Sequence, residues 1–140
     1  PGGWGLVGLA HLDILDGQPD AALKRLASME DRVQSAFVDP WLRTTWARAK
    51  GLAARGAGDG RAVAAQVAVL RRDDRPWASA WADLVEQRYD RAGAALQKLG
   101  WSLEQAAAVA HTDGGRTGPS GQWLASKGVE DVEGLLRAFT

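Results

Sequence analysis

Apolar residues recur at intervals of three and four along most of the chain. Ala22, Leu23, Leu26 and Met29 share one helical face, and so do Leu42, Trp46, Ala49 and Ala53. Val63, Val67 and Leu70 follow, then Trp77, Ala80, Trp81 and Leu84, then Tyr89, Ala92, Leu96 and Leu99. Val129, Val132, Leu136 and Phe139 form the last stripe. Val and Ile never alternate with polar residues over a strand's length, so the pattern gives strands little support. The spacing predicts nine helices, over 4–16, 19–35, 40–55, 60–72, 76–87, 89–99, 102–110, 119–127 and 129–139. The end of the second is the least sharply marked, because the stretch 32–39 could leave the helix early.

The breaks between stripes carry their own signals. Pro19, Pro40 and Pro76 stand where a helix begins, at a position whose N–H has no intrahelical partner. Asp39 is placed to cap the helix that Pro40 opens. Gly17, the run Gly56–Gly60 and Gly100 mark turns, and Ser102 with Gln105 has the spacing of a capping box. Short connections imply antiparallel helical hairpins, so the expected fold is all-α.

Composition narrows the function classes. Seventeen basic residues balance seventeen acidic ones, which leaves no basic footprint for nucleic acid and no polybasic membrane patch. The chain contains no cysteine, which excludes disulfides and thiolate metal sites and fits a reducing, cytoplasmic setting. At 140 residues it is expected to form one helical domain, residues 1–140. The opening Pro1-Gly2-Gly3-Trp4 has neither an initiator Met nor the layout of a signal peptide, so the chain reads as a fragment of a larger protein.

Three segments share one plan: "GLAHLDILDGQPDAALKRL", "ARAKGLAARGAGDGRAVAAQVAVL" and "SAWADLVEQRYDRAGAALQKL". Each is a small-residue helix, a turn and an Ala-rich helix. Their turns, near Gly17, Gly58 and Gln87, lie about 41 and then 29 residues apart, on either side of the 34-residue tetratricopeptide period. The segments resemble that family through Leu9 and Ala10, Gly17, Ala22 and Leu26, then Gly51, Gly58 and Val67, then Ala80, Tyr89 and Ala92. The stretch 76–139 is also similar to the end of the helical region in large transcriptional regulators of the LuxR/ATPase type. That likeness rests on Tyr89-Asp90, Leu99-Gly100, Glu104, Ala106, Ala110 and the run Ala125–Val129. It implies a short solenoid of stacked hairpins. Its function would be that of a non-catalytic interaction or effector-sensing module within a multidomain signalling regulator. The partner would be a protein, a peptide or a flanking domain, with a small effector also possible. A stand-alone peptide-docking adaptor is the alternative, and an all-helical carrier or enzyme is a third reading.

Candidate chemistry is sparse. The glycine-rich "GGRTGPSG" suggests a phosphate cradle, but no Lys accompanies it, Pro119 removes a donor and no strand precedes it. It reads as a mobile connector around 112–119. His11 lacks companions at metal-ligand spacing, and His111, at a helix C-terminus, is favoured there as a cation. Neither a metal, a cofactor nor a catalytic group is expected. The seven tryptophans are expected to pack between hairpins or to line a groove. Arg43, Trp46 and Lys50, on one helix, are the candidate binding residues, as a cationic and aromatic surface for a carboxylate-bearing partner.

Overall fold

The computed structural model describes residues 2–35 and 38–140. Among them the chain forms ten α-helices and no strand. These are α1 (Gly3–Leu15), α2 (Pro19–Ala27), α3 (Glu30–Val33), α4 (Pro40–Gly56), α5 (Gly60–Arg72), α6 (Pro76–Val85), α7 (Tyr89–Leu99), α8 (Ser102–Asp113), α9 (Pro119–Ser126) and α10 (Val132–Phe139).

The expected punctuation operates. Prolines 19, 40, 76 and 119 each occupy the first turn of a helix. The Asp39 carboxylate caps α4 by accepting from the Trp41 amide at 2.9 Å, and Asp59 and Asp131 cap α5 and α10 in the same way. The Ser102–Gln105 pair is not a capping box: Trp101 holds the N-cap position and Ser102 is already helical. The helix expected over 19–35 is divided, because the backbone leaves the α conformation at Met29 and the Ser28 hydroxyl donates back to the Arg25 carbonyl. Positions 36 and 37 of the uncertain stretch lie outside the described residues. The helix expected over 102–110 runs on to Asp113, and the last starts at Val132, after its cap Asp131.

The helices pair in sequence: α1 with α2, α4 with α5, α6 with α7 and α8 with α9. The second helix of each pair packs on the first helix of the next, α2 on α4, α5 on α6 and α7 on α8, while α4 also touches α1 and α6. Arg25 with Asp13 ties α1 to α2, and Arg71 with Asp83 and Glu86 ties α5 to α6. The close contact of α4 with its neighbours needs Gly51. A Cβ there would lie 2.9 Å from a Val85 methyl and 3.4 Å from Gln66 Cβ.

The main core takes Leu26 from α2, Trp46 and Leu52 from α4, Leu70 from α5, Trp81 and Leu84 from α6 and Leu96 from α7. A smaller core joins Ala107 and Ala110 of α8 to Leu124 of α9 and to Val132 and Leu136 of α10. No helix among the described residues is long and apolar enough to cross a membrane.

Helix α10 breaks the alternation. It turns back across the molecule and packs on α1, α4 and α8, the first helices of three pairs, with lesser contacts to α9. It lies in a trough: Val132, Gly134, Leu136 and Ala138 are buried, Leu135 and Phe139 are half-buried, and Glu133 and Arg137 are exposed along one edge.

Candidate functional site

The C-terminal turn of α10 lands on a cluster of side chains contributed by α1, α4 and α8. A helix end leaves four carbonyls without intrahelical donors, and buried carbonyls must find partners elsewhere. Here they find them on neighbouring helices. The His11 ring meets the Ala138 carbonyl through Nδ1 at 2.7 Å. The Arg48 guanidinium donates to the Phe139 carbonyl, and Arg55 donates to the Thr140 carbonyl at 3.1 Å. His111 Nε2 lies 2.7 Å from the Thr140 hydroxyl. That hydroxyl donates to the Leu136 carbonyl, so Nε2 of His111 must be the donor in its contact. The carbonyl opposite His11 likewise requires the proton to sit on Nδ1.

Arg48 is the centre of the site. Although charged, it is buried, and it reaches three other helices. Its guanidinium bonds Glu104 of α8 at 3.1 Å, lies 4.7 Å from the Trp81 ring centroid of α6, and stands 5.8 Å from the Phe139 ring of α10. Trp81 donates its indole N–H to the other Glu104 oxygen at 3.1 Å. Burial pushes the Arg48 pKa down, and the Glu104 carboxylate opposes that shift. A buried cation is tolerated because it is paired and bonded. Sequence reasoning missed this residue. Arg48 and Arg55 stand seven apart in "TTWARAKGLAARG", two arginines that with Lys50 interrupt a run rich in small and apolar residues, and that was the available signal.

Both histidines are held neutral at pH 7. Burial, then the positive charge of Arg48, lowers the His11 pKa to about 4. Its ring stacks on Phe139 with centroids 4.5 Å apart. His111 stacks on Tyr89 at 3.8 Å, and burial followed by the charge of Arg55 lowers its pKa to about 4. The expectation of a cationic His111 is thereby corrected: burial and then the nearby arginine outweigh the pull of the helix end. His111 nonetheless keeps an exposed edge, where solvent screens Arg55, so the larger effect belongs to the more enclosed His11.

The three candidate binding residues are placed differently from one another. Trp46 is 2% exposed and belongs to the core. Arg43 donates to the Ser35 carbonyl at 2.8 Å, and Lys50 pairs with Glu30 of α3. Arg43 and Lys50 therefore brace α4 against the segment before it, and Trp46 presents no open ring. Four other tryptophans gather instead. Trp41 meets Trp77 at 4.6 Å, Trp81 at 5.6 Å and Trp101 at 6.1 Å, each edge to face. Their rings fill the space between α4, α6 and α8, each pair adding about 0.5–1.5 kcal/mol beyond its buried area.

The glycine-rich segment joins α8 to α9 through a 3-10 turn at Gly115–Thr117, as a packed corner rather than a loose tether. Asp113 Oδ2 accepts from the Ser120 amide at 3.1 Å and from the Ser120 hydroxyl. A carboxylate thus sits at the start of α9, where a phosphate cradle would need its anion. Gly121 passes so close to the turn that a Cβ would lie 2.1 Å from the Gly115 carbonyl oxygen. Compared with protein-family models, curated proteins and solved structures, the chain matches none of them.

Proposed function

We propose that this chain is a non-catalytic helical-repeat module of tetratricopeptide-like construction, part of a multidomain signalling or transcriptional regulator, which works by docking a helical segment of a protein partner or flanking domain. One observation carries the reading. The first helices of three hairpins form a trough that takes an amphipathic helix along its length and bonds the carbonyls at its end. That is the helix-in-groove mode of recognition, with apolar anchors at helical spacing and polar groups fixing the register. The regular contact of each hairpin with the next supports the solenoid reading. The tryptophan cluster is filled by its own rings, which favours docking over enclosure of a small molecule.

The test is an NMR titration of the isotope-labelled chain carrying Phe139→Ala, which loosens the seated α10, with an amidated peptide of residues 129–140. Docking predicts selective shifts of amides in α1, α4 and α8. Unchanged spectra at millimolar peptide would refute it.

A further inference from the structure

The trough is already occupied, and the way it is occupied identifies what it recognises. Four side chains from three helices converge on the last two residues of α10 and on Thr140, which caps it. They are His11 on Ala138, Arg48 on Phe139, Arg55 on Thr140 and His111 on the Thr140 hydroxyl. All four act as donors, and what they meet is a set of acceptors. A helix C-terminus is a row of carbonyls carrying partial negative charge, so two arginines and two imidazole N–H groups complement it. An aromatic residue is read beside the end, because the Phe139 ring stacks on His11 and faces Arg48. Small residues lie beneath it: Gly134 and Ala138 are buried where α10 crosses its neighbours, and a Cβ on Gly134 would meet the capping Asp131 carboxylate first, at 2.1 Å, and then Leu15 Cγ at 3.1 Å.

We infer that the α1–α4–α8 trough is a receptor for the C-terminal turn of an amphipathic helix with a buried leucine, then alanine, an aromatic residue and a hydroxyl residue, and that α10 is the resident occupant which a partner helix of this chemistry displaces. The inference rests on the docking reading above and adds the identity and control of the occupant. The floor offers four donors, two of them arginines and one of these balanced by Glu104, and this match to the carbonyls of a helix end argues for a helix presented by its C-terminus. The connection to α9 is short and irregular: residues Lys127–Asp131 include Gly128 at φ +92°, so the segment that ties α10 down is not itself helical. While α10 is seated, a competitor sees only the fraction of molecules in which the trough is open, and its apparent affinity falls by that fraction.

The probe is the amidated peptide 129–140 with a fluorophore at its N-terminus, read by anisotropy against three chains of residues 1–140: unaltered, Leu136→Asp and Phe139→Ala. Leu136→Asp disables the resident helix but leaves the floor intact. Phe139→Ala does so more gently and gives the same ordering if the aspartate variant does not fold, as checked by circular dichroism. The expected result is binding at least about tenfold tighter to either variant than to the unaltered chain. A peptide carrying its own Phe139→Ala change is expected to lose most of that affinity. Equal affinity for all three chains overturns the displacement inference while the docking reading stands. Absence of binding to every chain removes the docking reading, and the inference falls with it. Dimerisation of the unaltered chain that the peptide reverses would make a second copy the occupant and overturn the assignment to a partner helix.

Discussion

Acid should weaken this fold through His11, and the size of the effect follows from its surroundings. The imidazole is buried between α1 and α10, with the Phe139 ring against its face and the Ala138 carbonyl at Nδ1. The cation acting on it is Arg48 of α4. Its pKa is about 4 in the folded chain, against 6.5 for an unhindered imidazole. The unfolded chain therefore binds the proton more readily than the folded chain does. Stability from this group is complete above pH 6.5 and declines as the pH falls towards the folded pKa. By linkage the loss is about 2 kcal/mol at pH 5 and approaches about 3 kcal/mol well below pH 4. Carboxylates also titrate in this range, so the measurement is a difference. Urea unfolding of the chain and of His11→Gln, followed from pH 7.5 to 4.5, should give curves that converge as the pH falls, because glutamine keeps a donor for Ala138 but does not titrate. A His11 Cε1–H NMR titration with a midpoint near 6.5, or parallel stability curves for the two proteins, would refute the reasoning.

Three further outcomes are expected. Arg48→Ala leaves the Phe139 carbonyl without its donor and Glu104 without its cation. It should cost about 3 kcal/mol in urea unfolding, at the low end for a broken buried pair, since Glu104 keeps Trp81 and partial solvent access. Gly51→Leu forces α4 away from Val85 and Gln66 and should lower stability by about 1–3 kcal/mol, read as a drop in thermal midpoint. Gln87 holds the turn between α6 and α7 at φ +62°, the conformation that Gly17 and Gly58 adopt in the two preceding hairpins. Gln87→Gly should therefore stabilise the chain by about 1 kcal/mol, and an unchanged or lower thermal midpoint would contradict that account.

Local signals in this chain were legible and long-range ones were not. Each proline at a helix start, the capping Asp39 and the left-handed Gly100 acted within a few residues, and their sequence neighbours were enough to read them. The break at Met29 was only half visible, because no glycine or proline marks it. The place of Trp46 was not legible for a different reason. Periodicity shows which residues of α4 share a face, but α4 contacts α1, α2, α5, α6 and α10, so nearly every face of its central turns is covered. A stripe then says nothing about which side a groove lies on. The site itself joins His11 to Ala138, Arg48 to Phe139 and Arg55 to Thr140, across 127, 91 and 85 positions of sequence. No spacing rule reaches that far. What the sequence does carry is the oddity of Arg48 and Arg55 within an alanine-rich helix, and of a final segment with polar residues confined to one edge.

The position of Trp81 gives the molecule a built-in optical gauge. Its indole lies beside the guanidinium that bonds Phe139, and its N–H is bonded to the carboxylate that balances that charge. If the last helix leaves, water reaches the guanidinium and the electric field across the indole changes with it. The colour of the chain's own emission should then shift, reporting the seated and vacated forms in solution without any added dye.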